Sequence, residues 1–440
     1  MKSTLIIILL LSINQLFSQR ELLRSGPMVG YSEMKEVMLW VQTTKDASVQ
    51  ISYWERDNEN DKYFTEKITT EEQKAYTAKL LADKVEPGNV YDYRLLINNI
   101  PVELPYETSF QSQELWQWRT DPPEIRFATG SCAYINEKRY DRPGTPYGGD
   151  YRIFESIHEK DPDFMIWLGD NFYLREADWN TRTGILHRFT YNRSTSELQP
   201  LLGSVHHYAI WDDHDYGPNN SDRGWWNKNV TMEAFELFWA NPSFGVGDIE
   251  GAITFFEWGD LDFFLLDNRY YRSPNNLLDD EKTILGEDQL QWLFDGLATS
   301  SAPFKFVVMG GQFLNNSGEH ETYMNYGFAP ERQKIIDFIY EQNIEGVFFL
   351  SGDRHFTELS KLEEEGEPVI YDLTTSPLTS GAYANAGEES NSLRVDGTQV
   401  TERNFSMITV TGPRKSRALK IEVFDPDGEK KWEREVSIND

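Results

Sequence analysis

Cysteine is almost absent from this chain. Cys132 is the only one, which excludes an intrachain disulfide framework and leaves its thiol as buried packing, a metal ligand or a reactive group. Positive charge is also scarce: 42 Lys and Arg stand against 72 Asp and Glu, a formal net charge of -30. A surface of that sign repels nucleic acid and gains nothing from an anionic membrane, so neither is an expected partner. If the substrate is itself a phosphate, cations must offset the charge around it. Apolar runs are short throughout, below the ~18 to 20 residues of a membrane-spanning helix. The longest, in "MKSTLIIILLLSINQLFSQ", follows a single Lys and gives way to small or polar residues before Arg20. It reads as a cleaved signal over residues 1–19, so a secreted or periplasmic protein without a stable membrane anchor is expected. No G-x-S-x-G elbow occurs, and Ser131 in "TGSCAY" lacks that motif's flanking glycines, which argues against a serine nucleophile.

What the chain does have is length and aromatic content: 440 residues, 14% aromatic, 39% hydrophobic. That suffices for two packed domains. Residues 20–113 carry short alternating runs, "VMLWVQT", "ASVQISYWE", "YTAKLLA" and "VYDYRLLIN", with turn formers such as "VEPGN" between them. They predict an all-β domain, a sandwich of immunoglobulin or fibronectin-III character. A polar connector, "SQELWQWRTDPP", follows. From 124 to 440 the pattern changes: strand-length apolar runs ("IRFAT", "DFMIWL", "YAIW", "DFFLL", "FKFVVM", "GVFFL") alternate with helix-like segments such as "TMEAFELFWA" and "ERQKIIDFIYEQ". This predicts an α/β layered sandwich. The tail reads as a closing β-hairpin, with "DPDGE" and the earlier "EEEGE" as solvated turns rather than calcium loops.

The residues just past the apolar runs are chemically similar to one another. Cys132 follows the first; Asp170 and Tyr173 follow the second; Asp212, Asp213, His214 and Asp215 follow the third. Asp267, Arg269 and Arg272, then Gln312, then Asp353 and His355 complete the set. In α/β sheets the crevice lies outside the carboxyl ends of the strands, so these residues are expected to meet. Carboxylates converging there would protonate unless cations compensate them. A thiolate with a phenolate and an imidazole suits iron, and an all-oxygen set suits calcium or magnesium.

In order, "GSC", "GDNFY", "WDDHD" and "SGDRH" resemble the metallophosphoesterases in outline and the PhoD-like alkaline phosphatase and phosphodiesterase family more closely. The sandwich, the signal and the loop "TTSPLTSG" fit the same resemblance. It implies a catalytic domain of metallophosphoesterase type over 124–440. It also implies iron(III) held by Cys132, Asp170, Tyr173 and His355, and calcium held by carboxylates including Asp170 and Asp213, with Asp353 a further ligand. Other divalent metals remain open. Asn219 and Asn220 are the candidates for an additional amide ligand. His214 is expected at the leaving group as an acid or phosphate contact. Arg269, as a catalytic residue, and Arg272 and Arg354, as substrate-binding residues, have two readings: bidentate phosphate contacts, or partners of surplus carboxylates. Asp212 is expected to cap a helix or orient His214, His206 and His207 to be structural, and Trp225 and Trp226 to line a rim or pack in the core. The implied activity is phosphate-ester hydrolysis by a metal-activated hydroxide or oxide. The alternatives are a phosphodiesterase or phospholipase D-like activity and, more distantly, a non-enzymatic calcium-binding surface protein.

Overall fold

The computed structural model describes residues 20–279 and 281–436; the signal expected at residues 1–19 lies outside them. Two compact units are present. The first holds residues 20–115 together with two later segments, 193–207 and 237–240, that fall inside the expected catalytic region. Its strands are β1 (Leu23–Ser32), β2 (Val37–Thr43), β3 (Ser48–Glu55), β4 (Tyr63–Phe64), β5 (Ile68–Thr69), β6 (Thr77–Ala82), β7 (Val90–Ile97), β8 (Ile100–Pro101) and β9 (Ser109–Gln111). Antiparallel β1–β2–β6 form one layer, and β3–β7 with the short strands form the other. Alternate residues of both layers, Leu39, Val41, Ile51, Leu80, Tyr91 and Leu95 among them, make the shared core. The period-two alternation of "VYDYRLLI", buried at every second residue, is why this segment is a half-buried strand.

Side-chain hydrogen bonds tie the later segments into this unit. Trp40 Nε1 donates to the Leu237 carbonyl at 2.7 Å and Tyr93 hydroxyl to the Gly203 carbonyl at 2.8 Å. His206 and His207 open β12 (His206–Ile210), and both are buried. His206 Nδ1 donates to the Gly30 carbonyl at 2.8 Å while Nε2 accepts from the Gln111 amide at 3.1 Å. Those two partners fix a neutral tautomer, and burial holds its pKa down at about 4.

The second unit contains two sheets. The strands are β10 (Ile125–Gly130), β11 (Phe164–Leu168), β12 (His206–Ile210, of which 208–210 belong here), β13 (Thr254–Trp258), β14 (Leu261–Leu265), β15 (Lys305–Val308), β16 (Val347–Ser351), β17 (Glu358–Leu362), β18 (Ile370–Thr374), β19 (Phe405–Thr411), β20 (Ala418–Phe424) and β21 (Lys430–Val436). One sheet runs β21-β20-β19-β10-β11-β12 and the other β13-β14-β15-β16-β18-β17. Aromatic side chains fill the space between the sheets: Phe127 meets Phe263 and Phe306 edge-on at 5.4 and 5.3 Å. The opposite face of the second sheet, including Phe264, Val307 and Phe349, packs with Leu293, Leu297, Ile335 and Ile339 of the helices Glu287–Thr299 and Ala329–Glu341. With both faces covered, the unbroken apolar run of β16 is what burial demands. The tail is a three-stranded antiparallel meander, and "DPDGE" and "EEEGE" are turns closed by Gly428 N to Asp425 O and Glu367 N to Glu364 O.

Candidate metal centre

Parallel strands β10 and β11, and β15 and β16, deliver their carboxyl ends side by side. The chain leaves them abruptly. Cys132, Asp170, Asp353 and His355 all take left-handed backbone angles, with φ of 61°, 53°, 65° and 57°. Each such non-glycine residue costs about 1–3 kcal/mol, and positions of this kind cluster at functional sites. The glycine of "SGDRH" has a specific reason. A Cβ on Gly352 would lie 2.6 Å from Cβ and Oγ of Ser131, so only glycine lets the "GSC" and "GDRH" turns touch.

The turns bring Cys132, Asp170 and His355 together, with one donor atom from each inside a 4.8 Å sphere of mutual separation. Cys132 Sγ lies 3.7 Å from Asp170 Oδ2 and accepts from Ser376 Oγ at 3.2 Å. Tyr173 hydroxyl donates to Asp170 Oδ2 at 3.1 Å and lies 3.2 Å from His355 Nε2. His355 Nδ1 donates to the Gly381 carbonyl at 2.8 Å, which leaves Nε2 as the lone-pair nitrogen turned to the cluster. Asp170 belongs to a second group with Asp213 and His214, again within 4.8 Å. Its Oδ1 accepts from the His214 amide at 3.1 Å, and the His214 ring stacks on Tyr173 at 4.3 Å.

Without a cation this arrangement is electrostatically unfavourable. Burial, then the neighbouring Asp213, Asp212, Asp215 and Asp353, pushes Asp170 well above the carboxylate range. Burial followed by Asp212 and Asp213 raises Asp353 to about 8. Burial and then Asp170 push the Cys132 thiol up. Three acceptors beside these groups, Asp212 Oδ2, Asp213 Oδ1 and Asn268 Oδ1, are buried without a hydrogen-bond partner among the described residues. Orphaned oxygens and mutually repelling carboxylates are what a bound cation satisfies, so the donor set fits metal ions. Cys, Tyr and His with Asp170 form the softer half, and Asp213, Asp353 and Asn268 supply oxygens.

Several expected residues stand elsewhere. Arg269 gives Nε to Asp212, Nη2 to Glu321 at 2.8 Å and Nη1 to the Ser221 carbonyl at 3.3 Å, and is 1% exposed. Arg272 pairs with Glu321 and Asn275, and Arg354 with Glu389 and Gln312. Of their two readings, pairing with surplus carboxylates is the one these hydrogen bonds display for Arg269, Arg272 and Arg354. Asp212 serves Arg269 and Asn268 rather than orienting His214. Asn219 is exposed and donates to Asn220 Oδ1 at 2.8 Å; the buried amide near the carboxylates is Asn268, bonded to Asp212 Oδ1 at 2.7 Å. Gly310 makes room for that pair, since a Cβ there would sit 2.5 Å from Asp212 Cγ and 2.7 Å from Asn268 Nδ2. Trp226 is 67% exposed, with Trp225 beside it.

A cavity of about 720 Å³ opens beside His214, and Arg142, Arg175, Trp179, Tyr140 and Asn219 are in its wall. Arg175 gives Nη2 to Glu176 at 3.2 Å and keeps a buried Nε without a partner among the described residues, and Arg142 lies over the Tyr147 ring at 4.1 Å. Tyr147 in turn reaches His355 Nδ1 at 2.9 Å. Sequence reasoning missed Asn268, Tyr147, Arg142 and Arg175. Asn268 was discoverable, being a strand-end polar residue between Asp267 and Arg269. The other three lie in loops with no strand-end signature.

Comparison with known proteins places these features. A family model for PhoD-like phosphatase matches residues 127–412, and one for a domain of unknown function (DUF7800) matches residues 20–115. Alkaline phosphatase D of Bacillus subtilis (strain 168) is 22% identical over 383 residues, covering 75% of this chain and 62% of that protein, so the match spans under two thirds of the relative's length. Among solved structures, PhoD superposes with a TM-score of 0.76 at 18% identity, covering 95% of this chain and 92% of that one. The purple acid phosphatase PPD1 of yellow lupin (Lupinus luteus) gives 0.66 at 12% identity, covering 93% and 74%. The structural likenesses establish a metallophosphoesterase-type fold. With 127–412 matched, the chain belongs to the PhoD-like phosphatase family.

Proposed function

We propose that this chain is an exported, metal-dependent phosphoesterase that hydrolyses phosphate monoesters. The observation that carries the reading is the pair of ligand groups sharing Asp170 beside a cavity walled by His214, Arg142 and Arg175. Cys132, Asp170, Tyr173 and His355 would hold iron(III), and Asp170, Asp213, Asp353 and Asn268 would hold calcium. Cations bound there supply Lewis acidity, polarising a phosphoryl oxygen and acidifying water.

The chain's own residues do the rest. Asp170 offers an oxygen to each ligand group and so sets their spacing. Gly381, through its hydrogen bond to Nδ1, keeps His355 Nε2 unprotonated. Arg142 and Arg175, both in the cavity wall and the latter held by Glu176 through Nη2, donate to the non-bridging phosphoryl oxygens and orient the ester. Burial lowers the His214 pKa, which favours a neutral ring that offers an N–H hydrogen bond to the leaving-group oxygen while solvent water supplies its proton. Tyr140 and Trp179 shield the organic part of the ester from water.

Elemental analysis of the purified protein, with turnover of p-nitrophenyl phosphate and bis-p-nitrophenyl phosphate, tests the proposal. We expect iron and calcium, faster turnover of the monoester, and loss of iron and activity in Cys132→Ser. A metal-free protein that stays inactive after metals are added back would overturn the reading; a preference for the diester would overturn its monoester part. Export through residues 1–19 predicts a mature N-terminus near Arg20, read by N-terminal sequencing of the extracellular or periplasmic protein.

A further inference from the structure

A third group of metal-ligand types lies outside the centre just described. Glu319, His320 and Glu389 place one donor atom each within 4.8 Å of one another. Glu319 and His320 are exposed, whereas Glu389 is 4% exposed. Acidic groups on a surface are common and carry nothing alone; the informative atom here is buried. Glu389 Oε1 accepts from Arg354 Nη2, but Glu389 Oε2 is enclosed without any hydrogen-bond partner among the described residues. A buried carboxylate oxygen left unpaired is costly and calls for an explanation.

The histidine is held for the task. Its ring packs edge-on against Tyr383 at 5.6 Å, and its carbonyl accepts from Asn325 Nδ2 at 2.7 Å. His320 Nε2 stands 3.8 Å from Glu389 Oε1, the oxygen that Arg354 holds, so the unpaired Oε2 of the same carboxylate is the one left for an ion. The 3.8 Å separation is too long for a hydrogen bond and close to the spacing of two ligand atoms each ~2 Å from one ion. One imidazole with two carboxylates suits a divalent transition cation better than calcium or magnesium, which take oxygen ligands.

We propose that Glu319, His320 and Glu389 form a second, structural cation site, of which Zn²⁺ is the fitting occupant. The ion joins the loop carrying His320 to the segment that ends at Glu389. It also neutralises the carboxylate charge that Arg354 only partly offsets. This site uses none of the residues assigned to catalysis, and it stands whether or not the phosphoesterase reading does.

The test uses the full chain with its catalytic metals loaded. Zn²⁺ is titrated calorimetrically and then counted by elemental analysis after desalting, for the unmodified protein, His320→Ala and Glu319→Gln. One equivalent beyond that of His320→Ala is expected, with affinity at least about tenfold weaker in Glu319→Gln. An anomalous peak at the zinc edge beside His320 Nε2 is expected in crystals. Activity on p-nitrophenyl phosphate should be equal in His320→Ala and the unmodified protein. No extra Zn²⁺, or the same Zn²⁺ uptake in His320→Ala, overturns the proposal. So does uptake accompanied by loss of iron and activity in both proteins, since the zinc would then be displacing the catalytic metals.

Discussion

At the scale of single residues, the site is decided by which polar groups have partners. All three guanidinium nitrogens of Arg269 have partners, whereas Arg175 in the cavity wall gives Nη2 to Glu176 and keeps a buried Nε without a partner among the described residues. A charge-assisted hydrogen bond contributes about 1.5–3 kcal/mol, roughly a tenfold or larger effect on binding. Arg175→Ala is therefore expected to raise KM for p-nitrophenyl phosphate about tenfold or more with a smaller change in kcat. Arg269→Ala should instead unpair Asp212 and Glu321, two buried carboxylates, and appear first as lost stability. Steady-state kinetics beside thermal unfolding separates the two, and an unchanged KM in Arg175→Ala would remove that residue from the substrate site. Side-chain partners of this kind cannot be read from sequence. Arg175 follows Leu174 and Arg269 follows Asn268, and only the fold shows that Asp212 and Glu321 enclose Arg269 while Arg175, with Nη2 on Glu176, stands in the cavity wall.

At the scale of elements, the strands were legible because burial writes itself into composition. Period-two alternation marked the N-terminal sandwich, and unbroken runs such as "VFFL" marked strands covered on both faces. The ligands were legible for the same reason, each lying two to five residues past such a run. Segments without periodicity were not. Residues 193–207 and 237–240 join the first unit through hydrogen bonds from Tyr93 and Trp40 that no local pattern announces. Tight turns make their own prediction: Gly352→Ala would push a methyl group into Ser131, costing about 1–3 kcal/mol and displacing Asp353 and His355. Lower iron retention and turnover are expected, measured on protein purified in parallel with the parent.

The same scale holds a pH effect in the first unit. His206 and His207 are buried and neutral, with pKa values held by burial near 4 and 3, below the ordinary 6.5. In the unfolded chain both take up protons as pH falls through 6.5, and in the folded unit they do not until about 4 and 3. Their contribution to stability is complete above pH 6.5 and is lost as pH drops toward 4. His206→Phe removes the hydrogen bonds to the Gly30 carbonyl and from the Gln111 amide, a cost of roughly 2 kcal/mol or more at pH 8. Because the variant no longer has that proton to gain on unfolding, its deficit relative to the parent should be smaller at pH 4.5 than at pH 8. Denaturant titrations at the two pH values check this, and an equal deficit at both would contradict the neutral, buried state of His206.

At the scale of the whole molecule, an enzyme proposed to bind phosphate esters carries a formal charge of -30. Two opposed effects act on an approaching anion, and they differ in range. The acidic surface repels over a Debye length, about 30 Å at 0.01 M salt and about 8 Å at 0.15 M. The arginine contacts at the cavity act over ~4 Å, a separation that salt hardly screens at either concentration. Added salt should therefore remove most of the repulsion and little of the attraction. The expected outcome is that kcat/KM for p-nitrophenyl phosphate rises a few-fold between 10 and 150 mM NaCl, through KM rather than kcat. For a neutral carboxylic ester used as a control ligand, competitive inhibition should show no such dependence. A steep fall of kcat/KM with salt would mean that the cations and arginines at the centre project a positive field beyond the cavity and outweigh the surface. In that case Arg142→Ala, which removes the exposed member of the arginine pair, should flatten the dependence.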